Sequence, residues 1–287
     1  MHKTNSIAVI GAGLAGSEAA LTLARHGVAV TLYEMRPRLM TPAHKTGLAA
    51  ELVCSNSFKA TGIVSAHSLL KDELQMIGCS LLQTAFQTRV AAGAALAVDR
   101  AHFSQKVNEQ LCTHPLIERI EEQCHQPPLD SHDYCIVAAG PLASEPLTSW
   151  LIEQFGQDRL SFYDAIAPIV AFDSIDTSIC FYGERHRPEG TDYLNCPFSE
   201  EQYRLFYDEL MSADRVHARE FEDARYFEAC LPVEVIAERG YQSLLFGTLR
   251  PVGLVDPRTG KRPFAVCQLR RETASGESFS LVGFQTR

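Results

Sequence analysis

At 287 residues, with 46% hydrophobic content and a formal net charge of -9, the chain can bury a sizeable core as one large or two smaller domains. It has no run of about 18 apolar residues, which argues against a membrane-spanning helix and a membrane partner. Nor does a charged n-region followed by a longer apolar h-region and cleavage site precede the first strand, so a cytoplasmic location is expected. Nine cysteines, an odd number scattered without a CxxC pair, argue against a disulfide framework or a zinc knuckle, and no metal site is read.

The first elements carry the most specific signal. Residues 6–34 read as a strand, a glycine turn, a helix stopped near Gly27 and a second strand ending at Glu34. The turn is Gly11-Ala12-Gly13-Leu14-Ala15-Gly16. Gly11 permits the tight turn, Gly13 lets the backbone approach a pyrophosphate, and Gly16 lets helix and strand pack closely, with the helix N-terminus facing the phosphates. Glu34, at the end of the second strand, is positioned to accept a hydrogen bond from a ribose hydroxyl. A lone GxGxxG is weak; strand, turn, helix, stop and acidic residue together predict dinucleotide binding.

Residues 35–62 carry prolines and glycines with little apolar periodicity and read as a long connection wrapping the cofactor. An amphipathic helix is predicted over 68–77 with Gly78 as its stop, a short strand over 94–98, and a helix starting after Asp99 as N-cap. The apolar run 133–139, closed by Gly140-Pro141, is a further strand. From about Trp150 the pattern changes, giving a boundary between domains at 1–150 and 151–287. The second part predicts strands at 166–172, 178–182 and 192–194, a helix over 200–211, and strands at 227–231, 241–246 and 264–269, without a second glycine fingerprint.

Two cysteines and a basic tail are the candidates for chemistry. Cys54 sits in Glu51-Leu52-Val53-Cys54-Ser55-Asn56-Ser57 within the long connection, whereas inert cysteines usually occupy apolar runs, as Cys135 does. Cys230, in Phe227-Glu228-Ala229-Cys230-Leu231-Pro232, reads by itself first as a packed small hydrophobe. Residues 200–238 hold eleven acidic and four basic side chains, and 239–287 hold three acidic and eight basic ones. The basic set Arg250, Arg258, Lys261, Arg262, Arg270 and Arg271 can offer phosphate contacts or form a solvated surface.

Several longer strings carry a resemblance: Gly-Ala-Gly-Leu-Ala-Gly-Ser-Glu-Ala-Ala, Leu-Tyr-Glu-Met-Arg-Pro, Ala-Glu-Leu-Val-Cys-Ser-Asn-Ser, Phe-Glu-Ala-Cys-Leu-Pro-Val-Glu and Pro-Val-Gly-Leu-Val-Asp-Pro-Arg-Thr-Gly. From end to end the chain resembles the folate- and FAD-dependent tRNA uracil-5-methyltransferase (TrmFO) family. The resemblance implies an α/β fold: a Rossmann-type FAD-binding domain of the two-dinucleotide-binding flavoprotein kind, with an inserted mixed α+β substrate domain. It further implies that 5,10-methylenetetrahydrofolate supplies a one-carbon unit, by way of the flavin, to C5 of a T-loop uridine in tRNA, with reduction by NAD(P)H. No stable protein partner is implied. Cys230 matches the family cysteine proposed to add to uracil C6, which makes C5 enolate-like. Cys54 matches the second functional cysteine, on the flavin side, and the two roles are interchangeable. The family chain continues beyond residues 281–286, so the domain over 1–150 is expected to lack a returning C-terminal segment. The same chemistry on ribosomal RNA, and an inactive RNA- or nucleotide-binding remnant, are the alternative readings.

Overall fold

The computed structural model describes residues 6–62, 64–156, 167–185, 187, 189–214 and 231–284. In chain order the first elements are β1 (Ile7–Ile10), α1 (Leu14–Arg25), β2 (Val30–Tyr33), β3 (Ser57–Ala60), α2 (Ala66–Met76), α3 (Ser80–Gln87), β4 (Arg89–Val90) and β5 (Ala95–Val98). There follow α4 (Arg100–Thr113), β6 (Ile117–Ile120), β7 (Tyr134–Val137), α5 (Glu145–Phe155), β8 (Ile169–Ala171), β9 (Phe181–Tyr182) and β10 (Tyr193–Phe198). The last are α6 (Glu200–Ser212), α7 (Val233–Glu238), α8 (Ser243–Phe246), β11 (Ala265–Arg271) and β12 (Ser278–Leu281). The chain folds as two compact units. One comprises Met1–Val53, Ile63–Thr88 and Arg100–Asp164; the other comprises Cys54–Gly62, Arg89–Asp99 and Ala165–Arg287.

The first unit is built on a four-stranded parallel sheet in the order β6-β2-β1-β7. Its central strand β1 is apolar throughout, as a parallel strand covered on both faces requires, with Ala8 and Val9 fully buried; in β2, Val30 and Leu32 are buried while Thr31 and Tyr33 stay partly exposed. Helix α1 buries Gly16, Ala20 and Ala24, four residues apart, together with Ser17 and Leu21, so small side chains form its inward stripe. Its outward Glu18 caps α3, accepting the N–H groups of Ser80 at 2.9 Å and Leu81 at 2.8 Å. A carboxylate there opposes the positive end of the helix dipole. Edge strand β7 leaves Tyr134, Ile136 and Val137 exposed.

In the second unit the sheets are antiparallel, one in the order β8-β12-β11-β10-β9 and one in the order β3-β5-β4. Leu194, Tyr203, Leu244, Leu249 and Phe279 form its principal core. Helix α6 starts at a capping box: the Ser199 hydroxyl accepts the Gln202 N–H, and the Gln202 side chain accepts the Ser199 N–H. Overall this is an α/β fold with parallel and antiparallel sheets, and among the described residues no helix is long and apolar enough to cross a membrane.

Two expectations change, and a third lies outside the described residues. The run 241–246 is not a strand; it is a turn leading into α8. A short apolar run cannot separate strand from helix by periodicity, and here Leu244 is buried while Phe246 faces out. The strand read at 227–231 falls almost wholly outside the described residues. The connection 35–62 contains β3, and β3, β4 and β5 belong with the second unit although they precede residue 100. Distant contacts hold them there: the Tyr193 hydroxyl donates to the Ala92 carbonyl at 2.9 Å, and the Gly93 N–H donates to Asp192 at 2.6 Å.

The glycine turn gives a stability test. A Cβ at Gly16 would stand 1.8 Å from the Gly11 carbonyl oxygen, a backbone atom that cannot move aside, whereas a Cβ at Gly13 meets nothing within 4 Å. Gly16→Ala is expected to destabilise the chain by about 1–3 kcal/mol or more, and Gly13→Ala to leave urea denaturation nearly unchanged. Equal stability of the two variants would contradict this packing.

Candidate functional site

The turn between β1 and α1 leads into an open cleft of the first unit, walled by the end of β2 and by the segments that follow β6 and β7. Gly11 has φ +97°, and a Cβ on it would lie 2.7 Å from the Ala138 carbonyl oxygen, so only glycine fits between β1 and the end of β7. Its N–H donates to Tyr33 O at 2.7 Å, and Ala138 N–H donates to Ile10 O at 2.8 Å. Gly13 is the N-cap of α1, and no side chain caps the helix. The first-turn N–H groups therefore depend on solvent or a ligand for partners. Cleft-lining residues include Gly11, Gly13, Tyr33, Glu34, Cys124, Ala139 and Ser144. Open space at the Gly13 Cβ position, with the flanking glycines locked by backbone, fits the approach of a pyrophosphate.

Glu34 lies at the end of β2, 5% exposed, but the chain itself fills its acceptor positions. Oε2 accepts the Ala12 N–H at 2.8 Å and Arg36 Nη2 at 3.2 Å; Oε1 accepts Arg36 Nε at 3.0 Å and the Arg36 N–H at 3.1 Å. A carboxylate has about four lone-pair positions, so any ligand hydroxyl must share or displace one of these bonds. Arg36, only 2% exposed, also reaches Glu51 Oε2 at 3.3 Å. Glu51 in turn accepts the N–H groups of Lys45 at 2.9 Å and Thr46 at 3.1 Å and the Thr46 hydroxyl at 2.7 Å. Burial works to raise the Glu34 pKa, but the Arg36 hydrogen bonds and charge and the Ala12 N–H outweigh it and hold the carboxyl below its ordinary value. Arg36 and Glu51 escaped the sequence reading. The only signal was two charges in a segment otherwise read as a loop.

The described cysteines separate by environment. Cys124, on the cleft wall, and Cys135 are each pushed up to about 11, chiefly by burial. Cys267 is pushed up to about 12, and burial also raises Cys79 and Cys196. These five thiols stay protonated at neutral pH and are poor nucleophiles. Cys54 is half-buried, and its carbonyl accepts the Ala167 N–H at 3.2 Å. Cys54 belongs to the second unit and the glycine turn to the first. Cys230 lies outside the described residues. Among the described residues, no three His, Cys, Asp or Glu side chains are grouped to hold a metal ion.

The basic set does not form one surface. Arg250, Lys261 and Arg262 are exposed. Arg258, also exposed, is paired with Asp256 at 2.7 Å and donates to Ser178 O at 3.1 Å. Arg271 is half-buried, and its Nε has no hydrogen-bond partner. Arg270 departs from the expectation of a phosphate contact: it is 7% exposed and its guanidinium is turned inward onto Ser55, Asn56 and Ser280. It lies mid-sheet on β11, where alternation and pairing, not charge, decide which way a side chain faces. Half-buried Arg185, absent from the sequence reading, donates to Thr248 O at 2.8 Å, and its Nε has no partner. Burial, with Arg250 nearby, lowers its pKa.

The Glu34–Arg36 pair makes stability depend on pH. A carboxyl held below its ordinary 4.5 contributes stability that is present above that value and is lost as pH falls through the lower folded one. Urea denaturation followed from about pH 7 to about pH 2 should therefore show a decline that sets in near the ordinary carboxyl value and continues below it. Arg36→Gln is expected to flatten that decline and to cost about 3–5 kcal/mol at neutral pH, because it leaves Glu34 buried and unpaired. An unchanged acid limb in the variant would assign the decline to other carboxylates.

Comparison with known proteins agrees with this architecture. A family model described as glucose inhibited division protein A matches residues 6–287. The chain is 52% identical over 281 residues to the methylenetetrahydrofolate--tRNA-(uracil-5-)-methyltransferase TrmFO of Aquifex aeolicus, covering 98% of this chain and 63% of that protein. It is 51% identical over 278 residues to a protein of the same name from Thermus thermophilus, covering 97% and 62% respectively. The chain thus spans less than two thirds of the length of these relatives. Among solved structures, Aquifex aeolicus GidA in its form II crystal superimposes with a TM-score of 0.61 at 13% identity, over 98% of this chain and 50% of that one, a likeness of fold alone. The chain belongs to the glucose inhibited division protein A family, as a homologue of its TrmFO tRNA uracil-5-methyltransferases.

Proposed function

We propose that this chain carries the dinucleotide-binding and thiol-bearing part of a folate- and FAD-dependent tRNA uracil-5-methyltransferase. One observation carries the reading: a Rossmann-like glycine turn over an open cleft, in a chain half identical along its length to proteins named for that activity. In this reading the first unit holds the ADP portion of FAD, and the second, with most of 151–287, meets folate and RNA. Bound FAD would supply the carrier for the one-carbon unit, and NAD(P)H the reducing equivalents.

The roles of the chain's own residues follow from their chemistry. The Gly13 N–H and the first-turn N–H groups of Leu14, Ala15 and Gly16 receive the pyrophosphate, while Gly11 and Ala12, whose N–H groups are held by the Tyr33 carbonyl and Glu34, shape the turn that lets it approach. Glu34 meets the ribose by sharing Oε2 with the longer of its Arg36 contacts, 3.2 Å. Cys230 adds as thiolate to uracil C6; the C5=C6 electron pair moves toward C5 and the C4 carbonyl, and C5 becomes the nucleophile. After C5 has gained its carbon, loss of the C5 proton to a base returns the pair and expels the thiolate. Cys54 is the flavin-side partner or that base. Arg250, Arg258, Lys261, Arg262 and Arg271 are the RNA phosphate contacts in this reading, and Arg270 is not.

Two experiments test it. Gly13→Val fills the open space at the turn, so FAD affinity measured by fluorescence titration is expected to fall at least tenfold, about 1.4 kcal/mol, while the fold survives; undiminished affinity would remove FAD from this cleft. For the thiols, 5-fluorouridine-containing RNA lacks the C5 proton whose loss releases the enzyme. Peptide mapping of the trapped adduct is expected to find RNA on Cys230, and RNA on Cys54 alone would exchange the two roles. Methyl transfer by Cys230→Ala should drop by about two to three orders of magnitude, or roughly 2.7–4 kcal/mol of barrier.

A further inference from the structure

Residues 54–56 are held from three directions within the second unit. The Cys54 carbonyl accepts the Ala167 N–H at 3.2 Å. One guanidinium grips the two residues that follow: Arg270 Nη2 donates to Ser55 Oγ at 2.9 Å and Nε donates to Asn56 Oδ1 at 2.8 Å. Asn56 passes the restraint on, its Nδ2 donating to Val98 O and to Arg271 O, both at 2.9 Å, while its carbonyl accepts the Val98 N–H at 2.9 Å. Asn56 is fully buried, Arg270 is 7% exposed, and Ser280, which takes a weaker Arg270 bond at 3.4 Å, is 1% exposed.

Burying a guanidinium costs several kcal/mol before its partners offset it. An apolar residue on β11 would stabilise the sheet at lower cost, so the charge is retained for what its fork does to the neighbouring segment. We propose that Arg270 is a positioning residue for Cys54: through Ser55 and Asn56 it fixes the backbone that presents the thiol. The functional half rests on the reading of Cys54 as a reaction thiol; the positioning half does not. Lysine cannot replace the arginine, because one ammonium cannot span two acceptors in the fixed geometry of Nε and Nη2.

The test is carried out on this chain by timed alkylation with iodoacetamide, each cysteine being followed by peptide mass spectrometry. In Arg270→Lys, Cys54 is expected to react roughly tenfold faster than in the parent, the consequence of losing a charge-assisted hydrogen bond that opposes local opening. Cys267, buried on the same strand as Arg270, should keep its protection. Ser55→Ala, a milder change that leaves Arg270 in place, should raise the Cys54 rate several-fold, and adding it to Arg270→Lys should add little, since both break one link. Unchanged Cys54 rates in Ser55→Ala would overturn the proposal even if Arg270→Lys did not fold. So would a parallel rise at Cys267, which marks general loosening of the sheet. Undiminished methyl transfer by Cys54→Ala would remove the functional half alone, leaving the alkylation result to judge the positioning.

Discussion

The first unit turns on a single buried guanidinium. Arg36 stands between Glu34 and Glu51, joining the end of β2 to the loop that follows it. Each carboxylate is also tied to backbone: Glu34 to the Ala12 N–H in the glycine turn, Glu51 to the N–H groups of Lys45 and Thr46. The strand end, the turn and the loop are thereby fixed with respect to one another by ionic hydrogen bonds, buried around Glu34 and Arg36 and exposed where Glu51 meets Lys45 and Thr46. Two carboxylates around one arginine leave an excess negative charge, and the backbone N–H donors compensate it. The loop is held from its other side as well, by Arg119 Nη2 on Gly47 O at 2.7 Å and by Asn108 Oδ1 on the Ala49 N–H at 3.3 Å. A cleft wall made in this way is preorganised, so less ordering entropy is lost when a ligand binds.

The second unit repeats the device with different chemistry. Arg270 holds a segment carrying Cys54 as Arg36 holds one carrying the cleft loop, but it does so through the neutral oxygens of Ser55, Asn56 and Ser280. Both arginines are almost fully buried, and both join residues far apart in the chain or in different elements. In each unit an arginine does what a hydrophobic residue cannot: its forked donors fix direction as well as distance. The environments of the other thiols complete the contrast. Burial raises the pKa of Cys124, Cys135 and Cys267 and keeps them as inert packing, even where one of them lines the cleft.

Much of the architecture was legible where local chemistry decides it. The β1–turn–α1–β2 segment follows from apolar strand runs, glycines with no alternative at 11 and 16, and the stop at Gly27. The helix read over 200–211 is α6, Glu200–Ser212. Legibility failed where partners lie far away in sequence. Nothing near β3 announces that it pairs with β5 and joins a unit completed after residue 165. Nor did Tyr241–Phe246 announce a helical turn, since an apolar run of that length suits either conformation until packing around Leu244 chooses. In the site, Gly11, Gly13, Gly16 and Glu34 were legible as a pattern, while Arg36 and Glu51 were not, because a charge in an irregular segment has no periodicity to mark it as buried.

The sequence by itself determined the family, the glycine turn and the acidic residue at the end of β2, because each depends on residue identity at short spacing. Which charges face solvent was decided only by the tertiary structure. Arg262 and Arg270 weigh equally in a count of basic residues, yet one is exposed and the other is buried against Asn56. The reason is physical: charge is a property of the side chain, but burial is a property of everything packed around it, and contacts reaching from residue 56 to residue 280 set that environment.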